Sequence, residues 1–460
     1  MFKILNNSKK YKNNIALIYE EKNISYANLI IESNKIQKFI NSNTVSLIVA
    51  DNHSDFVVGY LAFLRKKNTI NIIVDSSFSI EFIDKIIKCF KPNYIYSSKL
   101  EEHLDEKFRK ISTYNASTLY NTNFPLHKNL NYKNFLLLTT SGTTESPKLV
   151  RLSKQNLIDN INNISNNLKI KKSHTTITTM PMGYSYGLSI LNTHLYKGAK
   201  IVINKSNILE KKFWEKIRKH KVNSFGGVPE FYNFLKKIGF KKKTYSSIKY
   251  LTQAGGKMSS STLEYFQSLS KEKKIKFYTM YGQTEAGPRM SILNWKMFLK
   301  KNDSIGQPFK NCRIELIDKK KNKIRKPNIS GEIVFRGKNV SLGYAKNVND
   351  LKKGDVNKKT LFTGDLAFRD KENYYYIVGR KKKFIKLFGK RFDLKEVKSY
   401  LNSKGIKVRC YSDDTKLKIS LYNNFKKKPY IKNLLSKYLN VNPNYILVEN
   451  NTVKNFKDFN

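Results

Sequence analysis

Hydroxyl side chains, a glycine and a lysine are concentrated in one short stretch, residues 139–148, which reads TTSGTTESPK. The apolar run at 135–138 before it predicts a strand that enters a turn. Gly142 lets the backbone come close to a ligand, and Lys148 adds a positive charge directly after Pro147. Hydroxyls, exposed N–H groups and a lysine on a turn suit phosphate binding. A polar surface loop without a ligand is the alternative.

A second pattern, FYTMYGQTE at residues 277–285, places an aromatic ring, a glycine, a hydroxyl and a carboxylate at the end of a predicted strand. Tyr281 can stack on a base, and Thr284 can donate to a phosphate. Glu285 offers the hard oxygen through which Mg²⁺ binds nucleotide phosphates, often with only one or two protein carboxylates. Taken alone, the pattern is also compatible with a turn and a helix cap.

A third pattern, further along the chain, is a pair of oppositely charged residues. Asp365 comes directly after a glycine in the sequence TGDL at 363–366, and Arg380 follows Gly379. The carboxylate can accept from both hydroxyls of a ribose, and the guanidinium can donate to ribose or phosphate. An ordinary ion pair on the surface is the alternative.

Two pairs of adjacent glycines, Gly226–Gly227 and Gly255–Gly256, come after strand-like runs and let a flat ligand lie against the backbone. Plain tight turns are the alternative for each. Residues 181–188, PMGYSYGL, form a predicted loop loosened by its two glycines. Its Tyr184 and Tyr186 suit the wall of a pocket or, equally, aromatic core packing at the end of a strand.

Together and in this order, these motifs resemble those of the adenylate-forming superfamily, which includes acyl-CoA synthetases, luciferases and the adenylation domains of peptide synthetases. The loop at 139–148 matches the signature Thr-Ser-Gly-Thr-Thr-Gly-x-Pro-Lys, except that Glu145 replaces a glycine. It is not a P-loop, because that motif requires glycine directly before its lysine. The resemblance covers nearly the whole chain.

The resemblance implies ATP-dependent activation of a small carboxylic acid to an acyl-adenylate, with Mg²⁺, followed by transfer to a thiol. The acceptor thiol would belong to coenzyme A or to the phosphopantetheine of an acyl or peptidyl carrier protein. The implied nucleotide-binding residues are Thr140, Ser141, Gly142, Thr143, Thr144, Lys148, Gly255, Gly256, Tyr281, Gly282, Gln283, Asp365 and Arg380. The implied acyl pocket contains Tyr184, Gly226, Gly227 and Met290. The implied catalytic residues are Lys454, Glu285, Thr284 and Lys386, with Glu285 as the metal ligand.

The alternation of strand-like and helix-like segments predicts an α/β fold with helix-covered sheets. The resemblance implies a large N-terminal domain, residues 1–380, and a small mobile α+β domain, residues 381–460, joined by a hinge at Lys382. Lys386 and Gly389 match residues that face the active site during thioester formation. Lys454 matches the lysine that bridges the attacking carboxylate and the α-phosphate, although Val453 replaces the usual glycine.

The composition bears on which other classes of protein the sequence could belong to. The 460 residues carry a formal net charge of +52, spread over nearly every segment. Specific nucleic-acid binding is one interpretation, but no basic tail or recognition-helix pattern is present, and a lysine-rich background composition is favoured. We expect no signal peptide or transmembrane segment, and three widely spaced cysteines suit a reducing cytoplasm. A catalytically impaired nucleotide binder also stays open, since Glu145 and Val453 replace glycines.

Overall fold

The computed structural model describes residues 11–140, 147–242, 245–381, 384–387, 390–406, 408–412, 416–421 and 428–450. Several predicted site residues lie outside these ranges: Ser141, Gly142, Thr143, Thr144, Glu145, Lys382, Gly389 and Lys454. Lys386 is described only as part of a strand. The described chain has the predicted α/β fold, with strands arranged in five sheets.

The strands, in chain order, are β1 (Ile15–Tyr19), β2 (Lys22–Ser25), β3 (Thr44–Ala50), β4 (Thr69–Asp75), β5 (Tyr94–Ser97), β6 (Arg109–Tyr114), β7 (Ser117–Asn121), β8 (Leu136–Thr139), β9 (Leu149–Leu152), β10 (Thr175–Ile177), β11 (Lys200–Ile203), β12 (Ser224–Gly227), β13 (Tyr250–Gln253), β14 (Lys276–Tyr281), β15 (Ser291–Leu293), β16 (Gln307–Pro308), β17 (Arg313–Ile317), β18 (Gly331–Arg336), β19 (Gly343–Ala345), β20 (Thr360–Arg369), β21 (Tyr375–Arg380), β22 (Phe384–Leu387), β23 (Lys390–Asp393), β24 (Val408–Ser412), β25 (Leu417–Leu421) and β26 (Ile446–Asn450). The α-helices are α1 (Tyr26–Gln37), α2 (Ser54–Arg65), α3 (Ile80–Phe90), α4 (Glu101–Asp105), α5 (Lys154–Asn167), α6 (Ser185–Tyr196), α7 (Lys211–Lys219), α8 (Pro229–Lys237), α9 (Ser260–Lys273), α10 (Trp295–Phe298), α11 (Leu394–Ser403) and α12 (Lys428–Leu439). None of these helices is long and apolar enough to cross a bilayer.

Two large sheets dominate the structure. One has the order β16-β15-β14-β13-β12-β10-β11-β1-β2, and the other has the order β19-β9-β8-β4-β3-β5-β7-β6. Their central strands are parallel, and β3 and β4 pair in register from Thr44↔Thr69 to Ala50↔Asp75. Every residue of β3 and β4 is buried, as expected for parallel strands covered on both faces. The first strand of the chain, β1, pairs with β11 in the other large sheet.

Serine caps fix the starts of two helices, α1 and α5. The Ser25 hydroxyl accepts from the Asn28 amide at 3.1 Å and begins α1. At α5, Ser153 accepts from the Asn156 amide, and the Asn156 side chain accepts from the Ser153 amide, which completes a capping box. These local bonds satisfy backbone donors that lack partners within the helix, so both helix starts were predictable.

The prediction of a loop at 181–188 is wrong for its second half, which is helical. The strand before it ends at Ile177, and Gly187 lies inside α6. A Cβ on Gly187 would meet the Pro181 carbonyl oxygen at 2.1 Å, and one on Gly183 would meet Asp75. Both glycines therefore permit close packing, and they do not loosen the segment.

The two large sheets share one hydrophobic core. It combines side chains of β1 and β11 with others of β4 and β8, and with the buried helices α2 and α6. This packing brings the carboxyl ends of parallel strands from both sheets towards one region, where open α/β sheets bind ligands. Thr139 ends β8, whereas Tyr281 ends β14 of the other sheet.

Residues after 380 have a core of their own. The cluster contains Phe392, Leu401, Ile419, Leu435 and Ile446, with partners drawn from the same segment. β22 and β23 pair antiparallel as a hairpin, and β24 and β25 also pair antiparallel. The additional helix α12 and the strand β26, which pairs parallel to β25, were not predicted. An antiparallel sheet of order β17-β18-β20-β21 lies before this segment in the chain.

Candidate active site

A cavity of about 1140 Å³ collects most of the predicted nucleotide-binding residues that the structure describes. Its walls include Gly255, Gly256, Tyr281, Gly282, Asp365 and Arg380, which come from three separate parts of the sequence. Leu394, Tyr411 and Tyr445 line the same cavity from the C-terminal segment. The cavity therefore lies between the large sheets and the segment with its own core.

The Asp365 carboxylate is the most heavily bonded group of this cavity. It is 1% exposed, and its Oδ2 accepts from the Tyr281 hydroxyl at 2.6 Å and from Gln283 Nε2 at 2.8 Å. Arg380 donates to the same oxygen at 3.1 Å and pairs with Oδ1 through its Nε. Burial and the neighbouring carboxylate raise the pKa of Tyr281 well above its usual value, so Tyr281 stays a donor. Oδ1 makes the ion pair with Arg380 but accepts no hydrogen bond from the described residues, so it keeps a lone pair for a ribose hydroxyl.

Strand pairing explains the contact between Asp365 and Arg380. The two residues are directly opposite each other in the antiparallel pair β20–β21. The contact with Tyr281 is long-range, since β14 belongs to another sheet. Gly282 is required at the end of β14, because a Cβ there would lie 1.8 Å from the Pro288 carbonyl oxygen.

Glu285 lies in a short 3₁₀-helix, Thr284–Ala286, just beyond β14. Its Oε1 accepts from the Tyr344 hydroxyl at 2.7 Å, and the Lys148 ammonium lies 3.7 Å from the centroid of the Tyr344 ring. The Thr284 hydroxyl is 3.0 Å from the Ser185 hydroxyl. One aromatic side chain thus links the lysine of the hydroxyl-rich loop to the candidate metal carboxylate.

Among the described residues, no group of three or more His, Cys, Asp or Glu side chains is placed to hold a metal ion. Glu285 is instead a single carboxylate that lines a cavity beside the hydroxyls of Thr140 and Thr284. This donor set suits Mg²⁺, which keeps several waters and is bound through one or two carboxylates together with substrate phosphates. The residues therefore fit a metal that arrives with a nucleotide.

A second, smaller cavity of about 130 Å³ adjoins the first and shares Gly255, Gly282 and Arg380 with it. Thr140, Tyr184, Ser185, Tyr186, Glu285 and Arg289 are among the residues that line it. Of the residues predicted for an acyl pocket, Tyr184 lines this cavity. Gly226 lies behind Tyr186, since a Cβ on it would be 2.8 Å from the Tyr186 hydroxyl, and Gly227 packs against Phe231.

Met290, the fourth residue predicted for the acyl pocket, lies away from this cavity. Its side chain is fully buried in a different core cluster with Ala286, Ile333 and Phe335, and it does not line the cavity. The Met290 amide bonds to the Tyr281 carbonyl at 2.8 Å, which fixes its direction. The neighbouring residue, Arg289, faces the cavity instead.

Comparison with known proteins agrees with this geometry. Residues 5–345 match the family described as AMP-binding enzyme, which is well over half of the chain. The chain belongs to the AMP-binding enzyme family. This AMP-binding enzyme is 29% identical over 259 residues to oxalate–CoA ligase of Saccharomyces cerevisiae, covering 56% of the chain and 46% of that protein. It is 29% identical over 252 residues to 2-succinylbenzoate–CoA ligase of Bacillus cytotoxicus, covering 54% of the chain and 50% of the relative.

The chain spans about half the length of the curated relatives that it matches. Solved structures show the fold over a longer stretch. O-succinylbenzoate coenzyme A synthetase from Bacillus subtilis, bound with a product analogue, superimposes with a TM-score of 0.77 at 20% identity, covering 99% of the chain and 96% of that protein. Its complex with ATP and magnesium gives a TM-score of 0.68 at 20% identity, covering 97% and 95%. The fold of this AMP-binding enzyme is therefore that of the synthetase.

Sequence reasoning missed three residues of the site in this AMP-binding enzyme: Ser185, Arg289 and Tyr344. Nothing in the sequence near Tyr344 indicates that its side chain reaches Glu285, 59 positions earlier. The residue type of Arg289 did not indicate a buried site, because most arginines in proteins are exposed. Its position four residues after Glu285, beyond a glycine and a proline, was the one available clue.

Proposed function

We propose that this chain is an AMP-forming acid–thiol ligase, which activates a carboxylic acid with ATP and passes the acyl group to a thiol. The observation that carries the proposal is the continuity of the two cavities. The larger one holds Tyr281, Asp365 and Arg380, and the smaller one holds Glu285. A nucleotide in the first cavity would direct its phosphates towards the second.

In the proposed complex, the adenine lies against Gly255–Gly256 and the Tyr281 ring. The ribose lies beside Asp365, and Arg380 is within reach of ribose or phosphate, since it lines both cavities. Thr140 and Lys148 hold phosphates at the other end, together with Ser141, Gly142, Thr143 and Thr144 of the loop outside the described residues. Gly282 and Gln283 complete the wall through the turn after β14.

The first step is an in-line displacement. A substrate carboxylate oxygen forms a bond to the α-phosphorus, and the bond from that phosphorus to the pyrophosphate oxygen breaks. Mg²⁺, when bound through Glu285, supplies charge neutralisation on the phosphates. Thr140, Thr284 and Lys148 orient the phosphates and stabilise the charge that develops on them. Lys454 is proposed to bridge the attacking and α-phosphate oxygens.

In the second step, the thiol sulfur attacks the acyl carbonyl carbon, AMP leaves, and the thiol proton passes to solvent. We propose coenzyme A as the acceptor, because relatives that match this chain are CoA ligases by name. A carrier-protein phosphopantetheine offers the same thiol chemistry and is the second acceptor to test. The free cysteines Cys89, Cys312 and Cys410 agree with the proposed cytoplasmic location.

The two steps need different groups around one adenylate. We propose that residues 381–460 form a separate domain that rotates about Lys382 between the steps. The self-contained core of that segment supports this division, since its described residues pack mainly on one another and three of them, Leu394, Tyr411 and Tyr445, line the cavity. In the thioester-forming state, Lys386 and Gly389 would face the adenylate.

The direct test is pyrophosphate release from ATP across a panel of fatty, aryl, hydroxy, amino and dicarboxylic acids, with and without coenzyme A. We expect release that depends on both an acid and Mg²⁺, and AMP rather than ADP as the nucleotide product. ATP binding without acid-dependent release would contradict the proposal and identify the chain as an impaired nucleotide binder.

A further inference from the structure

Arg289 is a buried cation without an acidic partner. The side chain is 2% exposed, and its guanidinium carbon lies 4.4 Å from the centroid of the Tyr186 ring. Its Nε has no hydrogen-bond partner, and no carboxylate of the described residues forms an ion pair with it. Burial lowers the pKa of Arg289, as expected for a cation removed from water. Burial of a charge without an ion-pair partner costs free energy unless a ligand supplies the opposite charge.

Arg151, another buried arginine among the described residues, shows the contrast. Arg151 is fully buried, and its guanidinium donates to four oxygens at 2.7 to 3.2 Å. Three are backbone carbonyls and one is the Asn134 side chain, so the protein itself satisfies this cation. Arg289 has no comparable set, although it is buried to almost the same extent. Apart from its contact with Tyr186, the guanidinium borders the smaller cavity, which Arg289 lines.

The surroundings of Arg289 hold it in place. Its backbone carbonyl accepts from the side-chain amides of Asn160 at 2.8 Å and Asn339 at 3.1 Å, both buried. The Tyr186 ring beneath the guanidinium is anchored by its hydroxyl, which donates to the Thr252 carbonyl at 2.9 Å. A guanidinium fixed on a rigid aromatic platform is prepared for bidentate contact with a planar anion.

The size of the cavity limits the ligand. Its volume of about 130 Å³ is well below that of pockets for drug-sized ligands, roughly 300–1,000 Å³. Glu285 lines the same cavity, so the reacting end of an acid and Arg289 are only a short molecule apart. A long apolar chain would cover the guanidinium with hydrocarbon and leave its charge uncompensated.

We propose that Arg289 binds a second carboxylate of the acid substrate, so that the enzyme activates a short dicarboxylic acid. This inference rests on the proposed adenylation. One carboxylate attacks the α-phosphorus, and the other forms a charge-assisted pair with the guanidinium. Arg289 is then a specificity-determining residue, and the ammonium group of an amino acid is disfavoured at the same place.

The test compares acids of matched shape that differ in one charge. Succinate is paired with succinamate and butyrate, and malonate with propionate, using kcat/KM from pyrophosphate release at saturating ATP. We expect wild-type protein to prefer each diacid by about 100-fold, the range for a buried charge pair that loses one partner. Arg289→Met should reduce kcat/KM for succinate by about 100-fold and bring the ratio of succinate to butyrate close to one. Arg289→Lys should retain the direction of the preference.

Arg336→Met is the matched control, since Arg336 is an exposed cation on β18 outside both cavities. It should leave all ratios unchanged. Equal use of succinate and butyrate by wild-type protein would overturn the inference while adenylation itself stands. A preference that survives Arg289→Met would overturn it as well.

The wild-type ratio of succinate to succinamate decides the question even if Arg289→Met fails to fold. If no acid supported pyrophosphate release, the proposed function would be contradicted. The affinity of the protein for succinate then tests the role of Arg289 separately. Isothermal titration of succinate into wild-type and Arg289→Lys or Arg289→Met protein should show weaker binding in the Met variant. Equal affinity in all three would overturn the role of Arg289.

Discussion

The Tyr281 hydroxyl donates a 2.6 Å hydrogen bond to the Asp365 carboxylate and so joins β14 of the nine-stranded sheet to β20 of the four-stranded sheet. Gln283 and Arg380 bond to the same carboxylate from either side. The candidate nucleotide site is therefore built across two sheets, and the Tyr281 ring is held in one orientation before any ligand arrives.

Replacing Tyr281 with phenylalanine should weaken nucleotide binding while preserving the ring. The hydrogen bond that fixes the Tyr281 ring and the Asp365 carboxylate relative to each other is lost, at roughly 1.5–3 kcal/mol, so both groups are less well ordered for the nucleotide and we expect the Kd for ATP or AMP to rise about tenfold. Isothermal titration measures the change. Tyr278→Phe, on the same strand but in a different core cluster, is the control and should leave the Kd unchanged. An equal change in Kd for the two substitutions would show that Tyr281 does not belong to the nucleotide site.

Glu285→Gln should lower the rate of adenylation by at least tenfold, about 1.4 kcal/mol in the barrier. The neutral amide keeps the shape of the side chain but loses the charge that attracts Mg²⁺. Tyr344→Phe removes the donor to Glu285 and should cause a smaller loss. Initial rates measured against Mg²⁺ concentration should show a higher half-saturation point in both variants. An unchanged rate in Glu285→Gln would exclude Glu285 as the metal ligand.

Acidification should destabilise the protein through His194. Burial lowers the pKa of this histidine from 6.5 to about 4, and its Nδ1 donates to the Ile190 carbonyl at 2.8 Å. Below about pH 6.5 the unfolded chain binds a proton there that the folded chain excludes, so stability falls as pH drops towards 4. The loss approaches about 3 kcal/mol by the linkage relation.

Denaturant unfolding between pH 7.5 and 4.5 measures this dependence. His194→Gln should flatten the curve over that range, because glutamine does not titrate. His127→Gln, at a histidine that bonds only to the Lys91 carbonyl near the surface, is the control. A slope that is the same in wild-type and His194→Gln protein would show that other groups govern the acid sensitivity.

The two half-reactions should separate when the proposed hinge is restrained. Proline fixes φ near about −65°, so Lys382→Pro should hold the C-terminal segment in one orientation. If that orientation places Lys454 at the nucleotide, the adenylate still forms while thioester formation fails. Gly389→Trp should have the same effect, and Lys454→Ala should block adenylation but allow a supplied acyl-adenylate to react with the thiol.

Single-turnover assays of adenylate formation and of thiol transfer measure the two steps. Equal slowing of both by Lys382→Pro and by Lys454→Ala would contradict domain alternation. These three residues lie outside the described parts of the chain, so the prediction depends on the family resemblance.

Local signals explain why much of the fold was predictable. Ser25 and Ser153 cap their helices through bonds within three residues, and the Asp365–Arg380 contact follows from one hairpin pairing. Signals of this kind depend on neighbours in sequence. The assignment of β1 to the sheet of β11 depends instead on packing between distant segments, and the alternation of strands and helices carries no such information.

The parts of the site that were missed depend on tertiary contacts. Tyr344 reaches Glu285 because β19 pairs with β9 on the edge of the eight-stranded sheet. Arg289 is buried because the turn after Glu285 directs it under the cavity, whereas its neighbour Met290 enters a separate core. Gly187 looked like a loop residue, but contact with the Pro181 backbone requires it within a helix.

Transfer of labelled oxygen tests the central claim most directly. A carboxylic acid labelled with ¹⁸O in both carboxylate oxygens is incubated with the protein, ATP, Mg²⁺ and coenzyme A, and the products are examined by mass spectrometry. Attack of the carboxylate on the α-phosphorus followed by thiol transfer leaves one ¹⁸O in AMP and one in the thioester, with unlabelled pyrophosphate. Label in inorganic phosphate, or AMP without label, would contradict the account.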